Sequence, residues 1–398
     1  MRKLIDLSFR LTCEVVILTG TIASIFGSVS HAVAILPLIH AFLIFVVSTF
    51  AEEDSSNQAL PHMAAGVFLF ALANMIQIVL LCLISFLFCI VNYFQLVCWR
   101  VPTPTSLHGY TFLVTGASAG IGEEVATQLL DLGAVVLFGS RSIKRGLDAS
   151  SRALARTRAP ASRVHVIQLD VADCDSIKSC AATVSRDFHL NGLICNAGGM
   201  FSYRSQNNCG WENNMAVNAL GHHFLASLLL PDLEHNSGRI VTVSSSTHKK
   251  EGLARHLLED PMSSKYYSPG TAYASTKLAQ LISTYSLQNE QVDCVCVHPG
   301  NPITQVTRDF PAPIRLCYAA LMPIFRCIQP SVNLAGATVV NACFRKAQKS
   351  VFCGSNGRVR GGMYIERCLI VPHASSATDN ELVDRICELF DELIAPYK

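Results

Sequence analysis

Residues 110–142 read YTFLVTGASAGIGEEVATQLLDLGAVVLFGSRS. An apolar run, a glycine-rich turn, a helical stretch with Val125, Leu129 and Leu130 on one face, and a second apolar run predict a β-α-β unit. The pattern repeats. Further buried strands are expected in VHVIQLD (164–170), LNGLICNAG (190–198), GRIVTVSS (238–245) and DCVCVHPG (293–300), with helical stretches between them. Strands alternating with helices over this length predict an α/β fold with a doubly wound parallel sheet of Rossmann type. Ligands of such sheets bind at the carboxyl ends of the strands.

The chain ahead of this unit is different in kind. No Asp, Glu, Lys or Arg occurs between Glu14 and Glu52, nor between Asp54 and Arg100. Each gap exceeds the roughly 20 apolar residues that cross a bilayer. Residues 1–100 are therefore expected to be an α-helical membrane block, with spans near 15–33, 34–50 and 65–93. Pro37 and the excess length also permit a re-entrant hairpin or a long tilted helix. Arg2 and Lys3 ahead of an apolar run would suit a signal peptide, but two long blocks exceed a signal peptide's short core. Arg2, Lys3 and Arg10 favour a cytosolic N-terminus, while the side faced by the rest of the chain depends on the number of spans.

A linker is expected over 101–110, where Pro102 and Pro104 end any helix, followed by one domain over 111–398. Half the chain is apolar and 15% is charged, with a net charge of +2. That balance offers no groove for nucleic acid. The 16 cysteines are scattered, and Cys294 and Cys296 have strand alternation instead of metal-binding spacing. They read as reduced, small hydrophobic residues, with no metal expected.

Several motifs sit where strands end. In TGASAGIG, Gly116 permits a sharp turn, Gly120 lets backbone approach a pyrophosphate and Gly122 allows a helix close to a strand; Ser118 and Ile121 share the turn. The strand, turn and helix context favours nucleotide binding over a plain turn. The next strand ends in Ser140 and Arg141, where an acidic residue would hold a ribose hydroxyl; this favours NADP(H), with NAD(H) still possible. Asp170 and Val171 suit an adenine edge, although Asp170 could also be a loop cap. Asn196, Ala197 and Gly198 offer small residues where a ring and ribose could pass. In TAYASTKLAQ (271–280), Tyr273 and Lys277 share a helical face. A neighbouring cation favours the phenolate, so the tyrosine could exchange protons near neutrality, though such a pair also arises by coincidence.

The set TGASAGIG, LDVAD, CNAG, VNALGH, VTVSSS, YASTK and HPGNPIT resembles the short-chain dehydrogenase/reductase superfamily over about residues 108–370. WENNMAVNALGHHFLASLLLPDL, RIVTVSSSTH and YYSPGTAYASTKLAQLISTYSLQ are similar to its membrane-bound retinol dehydrogenase group and polyprenol dehydrogenase (dolichal reductase) branch. The resemblance implies a hydrophobic alcohol interconverted with its aldehyde or ketone, of isoprenoid or retinoid type, at a membrane such as the endoplasmic reticulum. It implies Tyr273 as proton exchanger and Lys277 as its partner and ribose ligand. Ser245 would hydrogen-bond the substrate oxygen, with neighbouring Ser244 an open alternative, and Asn218 would position a water or simply satisfy backbone groups. Thr304 would bind the nicotinamide carboxamide. The segment 303–330, apolar around Arg315 and Arg326, would be a substrate lid or a packing helix.

Two departures stand out. Cys195 replaces an asparagine usual in the family, so hydrogen bonding there is expected to differ. The apolar segment 15–51 lies outside the resemblance. A competing function is a nucleotide-binding regulatory membrane protein that kept the fold without the chemistry. A transporter lacks support, because no inverted repeat or intramembrane charge is visible.

Overall fold

The computed structural model describes residues 106–300, 302, 330–345, 352–353, 359–360 and 362–398, and five helical positions between Val79 and Ile90. The chain divides into one unit of Met1–Tyr93 with Ala320–Ile328 and a second of Phe94–Ala319 with Gln329–Lys398. Most of the expected membrane block and linker, the lid segment and Thr304 lie outside the described residues. In the first unit, Val79, Leu83, Phe86 and Leu87 are helical and more than half exposed. Among the described residues, no helix is long and apolar enough to cross a membrane.

The second unit is built on a parallel sheet. Its first six strands are β1 (Thr111–Thr115), β2 (Val135–Ser140), β3 (Val164–Gln168), β4 (Gly192–Cys195), β5 (Arg239–Val243) and β6 (Asp293–His298). A two-residue ribbon of β7 (Phe352–Cys353) and β8 (Val359–Arg360) precedes β9 (Met363–Glu366) and β10 (Leu369–Ile370). The sheet runs β10-β9-β6-β5-β4-β1-β2-β3, parallel throughout except for β10. Strand order reverses between β1 and β4, so a crevice opens at their carboxyl ends. All four strands expected from the apolar runs after residue 142 are present.

Side-chain alternation divides the core. Leu113 and Leu137 face one layer, whereas Phe112, Val114, Val136 and Phe138 face the other, as a period of two requires. The second layer holds α1 (Gly120–Asp131), α2 (Ile143–Thr157) and, later in the chain, Val332–Phe344. Val125, Leu129 and Leu130 of α1 are buried there, as their spacing predicts. Glu124 of α1 ties these helices by accepting from Arg156 at 2.9 Å and from Asn333 at 2.9 Å.

The other layer holds α3 (Cys174–Asp187), α4 (Gly221–His235) and, beyond the short α5 (Leu253–Glu259), α6 (Pro269–Ser286). The helix at Val332–Phe344 is α7, and α8 (Asn380–Ile394) packs on α6. The start of α3 is fixed by Asp173, whose carboxylate accepts from the backbone of Asp175 and Ser176. A π-turn, Ala216–Leu220, leads into α4 and carries Asn218.

The expectation that every cysteine is reduced is corrected. Cys174, at the start of α3, and Cys209 are joined in a disulfide across a sequence separation of 35. Cysteines so far apart in sequence carry no local spacing signal, which is why composition alone missed the pair. Seven other cysteines among the described residues are buried and outside this disulfide.

Candidate active site

The turn between β1 and α1 is shaped by glycine. Gly116 and Gly120 have φ of +67° and +61°, which other residues adopt only under strain. A Cβ on Gly122 would collide with the Asn196 amide and the Gly116 carbonyl. One on Gly116 would meet Ala197 Cα at 3.0 Å. These glycines therefore let the turn and the start of α1 pack closely on the segment after β4, with the first amides of α1 at the carboxyl end of β1, a placement that suits a pyrophosphate. Ser118 is half-buried in this turn, and Ile121 packs on the core beneath it.

Beside the cradle, the β2 end separates two neighbours. Ser140 is buried and donates its hydroxyl to the Ser142 carbonyl at 2.9 Å. The Arg141 side chain is 69% exposed, with Nε 4.0 Å from Asp170 Oδ2. Asp170 caps its own loop by accepting from Ala172 N at 3.0 Å. Val171 is buried, and its carbonyl leaves no room for a Cβ at Gly221.

Tyr273 and Lys277 lie one turn apart on α6, with the ammonium 5.6 Å from the centre of the phenol ring. Lys277 Nζ donates to the Val243 carbonyl and to Gln280 Oε1, both at 3.0 Å. Burial lowers Lys277 to about 8. The Tyr273 phenol is pushed above its ordinary value of 10.0 by burial, against an opposing hydrogen bond with Ser245. This corrects the expectation that Lys277 brings the phenol toward neutrality: the ammonium is directed at Val243 and Gln280, and burial outweighs it. Ser245 and Ser244 are also told apart. Ser245 lies near enough to Tyr273 to oppose the rise of its pKa, whereas Ser244 donates to the Lys277 carbonyl at 3.5 Å.

Asn218 is fully buried on its π-turn. Its amide accepts from Gly199 N at 2.9 Å and donates to Gly199 O at 2.9 Å and Thr276 Oγ1 at 3.1 Å. The side chain thus fastens the segment after Gly198 to α6. A Cβ on Gly198 would lie 3.0 Å from Asn218 Oδ1 and 3.8 Å from Lys277 Nζ, so this glycine keeps the crevice open next to the lysine.

Sequence reasoning passed over Thr115 and His222. The Thr115 hydroxyl accepts from Asn196 N and Ala197 N, each at 2.9 Å, and lies 2.9 Å from His222 Nε2. With both lone pairs used, its one proton goes to His222 Nε2, which leaves the Nδ1 proton for the Asn218 carbonyl at 3.3 Å. Burial lowers His222 to about 4, so the ring is neutral. Both residues stand inside quoted motifs, directly before Gly116 and at the end of VNALGH, where a polar residue among buried neighbours was the available signal. Cys195, the departure on β4, is buried with its thiol raised to about 12. The neighbouring backbone bonds to Thr115 instead.

The chain matches the model of the short chain dehydrogenase family over residues 110–256. Human retinol dehydrogenase 12 is 31% identical over 300 residues, which cover 73% of this chain and 88% of that protein. Bovine retinol dehydrogenase 12 is 36% identical over 204 residues, covering 50% of this chain. Mouse polyprenol dehydrogenase is 34% identical over 221 residues, covering 53% of this chain and 62% of that protein. The match spans 63% of the bovine protein and 64% of mouse retinol dehydrogenase 11, under two thirds of each. A crystal structure of an uncharacterized protein from Mycobacterium Paratuberculosis superposes with a TM-score of 0.56 at 25% identity, covering 75% of this chain and 97% of that one.

Proposed function

Because this chain belongs to the short-chain dehydrogenase family, we propose that it interconverts a hydrophobic alcohol and its carbonyl partner with a nicotinamide dinucleotide. The observation that carries this reading is the placement of Tyr273 one helical turn from the buried Lys277, whose ammonium donates to the carboxyl end of β5, two residues ahead of Ser245. The glycine turn at 116–122 suits the dinucleotide's pyrophosphate, because Gly116 and Gly120 take φ of +67° and +61° and carry no side chain where the first amides of α1 begin. Gly116, Ser118, Gly120, Ile121 and Gly122 would hold the phosphates, and Asp170, Val171, Asn196, Ala197 and Gly198 would border the adenine and ribose. When bound, the nicotinamide supplies or accepts the hydride.

The proton is the protein's share. Tyr273, a neutral phenol at pH 7, donates to a carbonyl oxygen as negative charge develops on it. Ser245 hydrogen-bonds the same oxygen, and the Lys277 ammonium lies behind both, where low dielectric strengthens its field. Lys277 has three donors, of which two reach Val243 and Gln280. The third serves the crevice. Asn218 holds the wall that keeps this geometry. A phenol that starts protonated favours reduction, in keeping with Arg141 and NADP(H).

Retinoid and isoprenoid lipids are the proposed substrate class, supported by the relatives named for retinol and polyprenol. A membrane block over residues 1–100, a linker to 110, a catalytic domain over 111–398 and a lid over 303–330 with Thr304 at its root complete the proposal. The exposed apolar helical stripe of Val79, Leu83, Phe86 and Leu87 supports the membrane location. Membranes containing the protein, supplied with NADPH and retinal, polyprenal, dolichal or a ketosteroid, should convert one class, and Tyr273→Phe should lower that turnover at least ~100-fold. Unchanged turnover in Tyr273→Phe would reject the mechanism. A thermal shift with NADPH and no conversion of any carbonyl would favour the silent, nucleotide-binding regulator.

A further inference from the structure

A small pocket of about 10 Å³ is walled by Cys195, Thr242, Thr284, His222, His223 and Gln280, the last a hydrogen-bond partner of Lys277. The chemistry proposed for Tyr273 and Lys277 leaves it unused. Two buried polar atoms on its wall, Gln280 Nε2 and His223 Nδ1, have no hydrogen-bond partner among the described residues. Leaving either bare costs about 1–3 kcal/mol, which a fold does not tolerate twice in one place without a reason.

The orientation of Gln280 follows from its neighbour. A lysine ammonium only donates, so the atom 3.0 Å from Lys277 Nζ must be the amide oxygen. The amide NH2 is thereby forced toward the pocket. His223 stands on α4 with Nε2 3.9 Å from Asp391 Oδ1 of α8, beyond hydrogen-bond distance, so its buried Nδ1 can donate or accept according to the tautomer. An amide donor and a ring nitrogen thus border a space with room for one water, which can accept from the amide and pair with the ring nitrogen in either tautomer.

We propose that Gln280 is a positioning residue for Lys277, its amide locked by a single buried water shared with His223. The inference rests on the reading of Lys277 as part of the reaction centre. The locked amide holds the ammonium against the Val243 carbonyl and keeps its third proton on the crevice side. It also stabilises the charged form of a lysine that burial otherwise discharges. The other titratable groups around that ammonium are Tyr273 on α6, Cys195 on β4, Cys296 and His298 on β6, and His222 on α4. All five are uncharged at pH 7–8, so the amide is a principal support of the charge.

The test compares the full chain with Gln280→Leu, Gln280→Glu and His223→Phe, reading kcat/KM against pH and melting temperature against pH. Gln280→Leu should move the alkaline limb of kcat/KM down by about one pH unit and Gln280→Glu should move it up by about as much. His223→Phe, which removes the water's second partner, should shift it in the same direction as Gln280→Leu by a smaller amount. The melting curves give the same answer without turnover. A higher Lys277 pKa in Gln280→Glu removes the stability that wild type gains from pH 8 to 10.5, so its melting temperature should fall relative to wild type over that range. One limb shared by all four proteins, with parallel melting curves, overturns the proposal. If wild type turns over nothing but the melting curves diverge, the function reading fails and the Gln280 contact stands; a His223→Phe limb identical to wild type removes the water.

Discussion

The Lys277 amine lies 3.0 Å from the carbonyl oxygen of Val243, which pins the middle of α6 to the end of β5. A helix residue that donates into a strand end cannot move without breaking sheet geometry. The lysine is therefore a structural fastener as well as a charge.

Lys277→Met tests both roles. The shift from 10.5 to about 8 corresponds to about 3 kcal/mol of disfavour for the buried charge. In sign, the folded state binds fewer protons than the unfolded state between those values, so wild-type stability rises from pH 8 to 10.5 and the gain is lost as pH falls through 8. Methionine removes the charge and leaves the Val243 and Gln280 acceptors bare at ~1–3 kcal/mol each, so the two proteins should melt within a few degrees of each other at pH 7. Wild type should pull ahead as pH rises to 10.5, while turnover in the variant falls at least ~100-fold. Parallel melting curves would show that the lysine titrates elsewhere.

Gly122→Ala introduces a methyl group where the Asn196 amide and the Gly116 carbonyl already sit. Overpacking of this kind costs about 1–3 kcal/mol, and here it spreads the turn that faces the phosphates. Dinucleotide affinity, read by quenching or enhancement of NADPH fluorescence, should weaken more than ~10-fold. Gly252→Ala is the control. Its φ of +78° makes alanine costly there by about 1–2 kcal/mol through the backbone alone, but no atom lies within 4 Å of the added Cβ, and affinity should be unchanged.

The sheet was legible because apolar runs, turns and amphipathic helices repeat in an order that few topologies accept. Val125, Leu129 and Leu130 illustrate this, since spacing alone sends them to the core. Positions defined by contact were less legible. Nothing in the run of serines after β5 says that Ser245 influences the Tyr273 phenol while Ser244 turns to the Lys277 carbonyl. The balance between a cation and burial at Tyr273 likewise depends on where the ammonium's other partners lie. Gln280 ends TAYASTKLAQ, three residues after the lysine, yet its value comes from an orientation that only neighbouring atoms set.

Thr115→Val keeps the shape of a buried residue and removes one hydroxyl. Ala197 N and His222 Nε2 lose their partner, whereas Asn196 N retains the Ile194 carbonyl at 3.0 Å. About 2–4 kcal/mol of stability should be lost in a chemical denaturation experiment, and Thr115→Ser should restore most of it. Equal stability of the valine and serine variants would mean that the hydroxyl does not organise the ends of β1 and β4.

Arg141 is the proposed discriminator between the two dinucleotides. Its guanidinium is exposed and faces Asp170 at 4.0 Å, so a ribose phosphate bound there gains one charge and meets another of its own sign. Arg141→Ser should weaken NADPH about 10- to 100-fold, the equivalent of one charged hydrogen bond, with little change for NADH. Asp170→Asn keeps an oxygen to accept from Ala172 N while removing the opposing charge, so NADPH should bind more tightly and NADH should hardly respond. Because the guanidinium is solvated, the wild-type preference for NADPH should shrink as salt is raised from low to high concentration. Titrations of each variant with both dinucleotides at two ionic strengths distinguish these effects. If Arg141→Ser weakens both dinucleotides alike, the guanidinium is holding the loop rather than reading a phosphate.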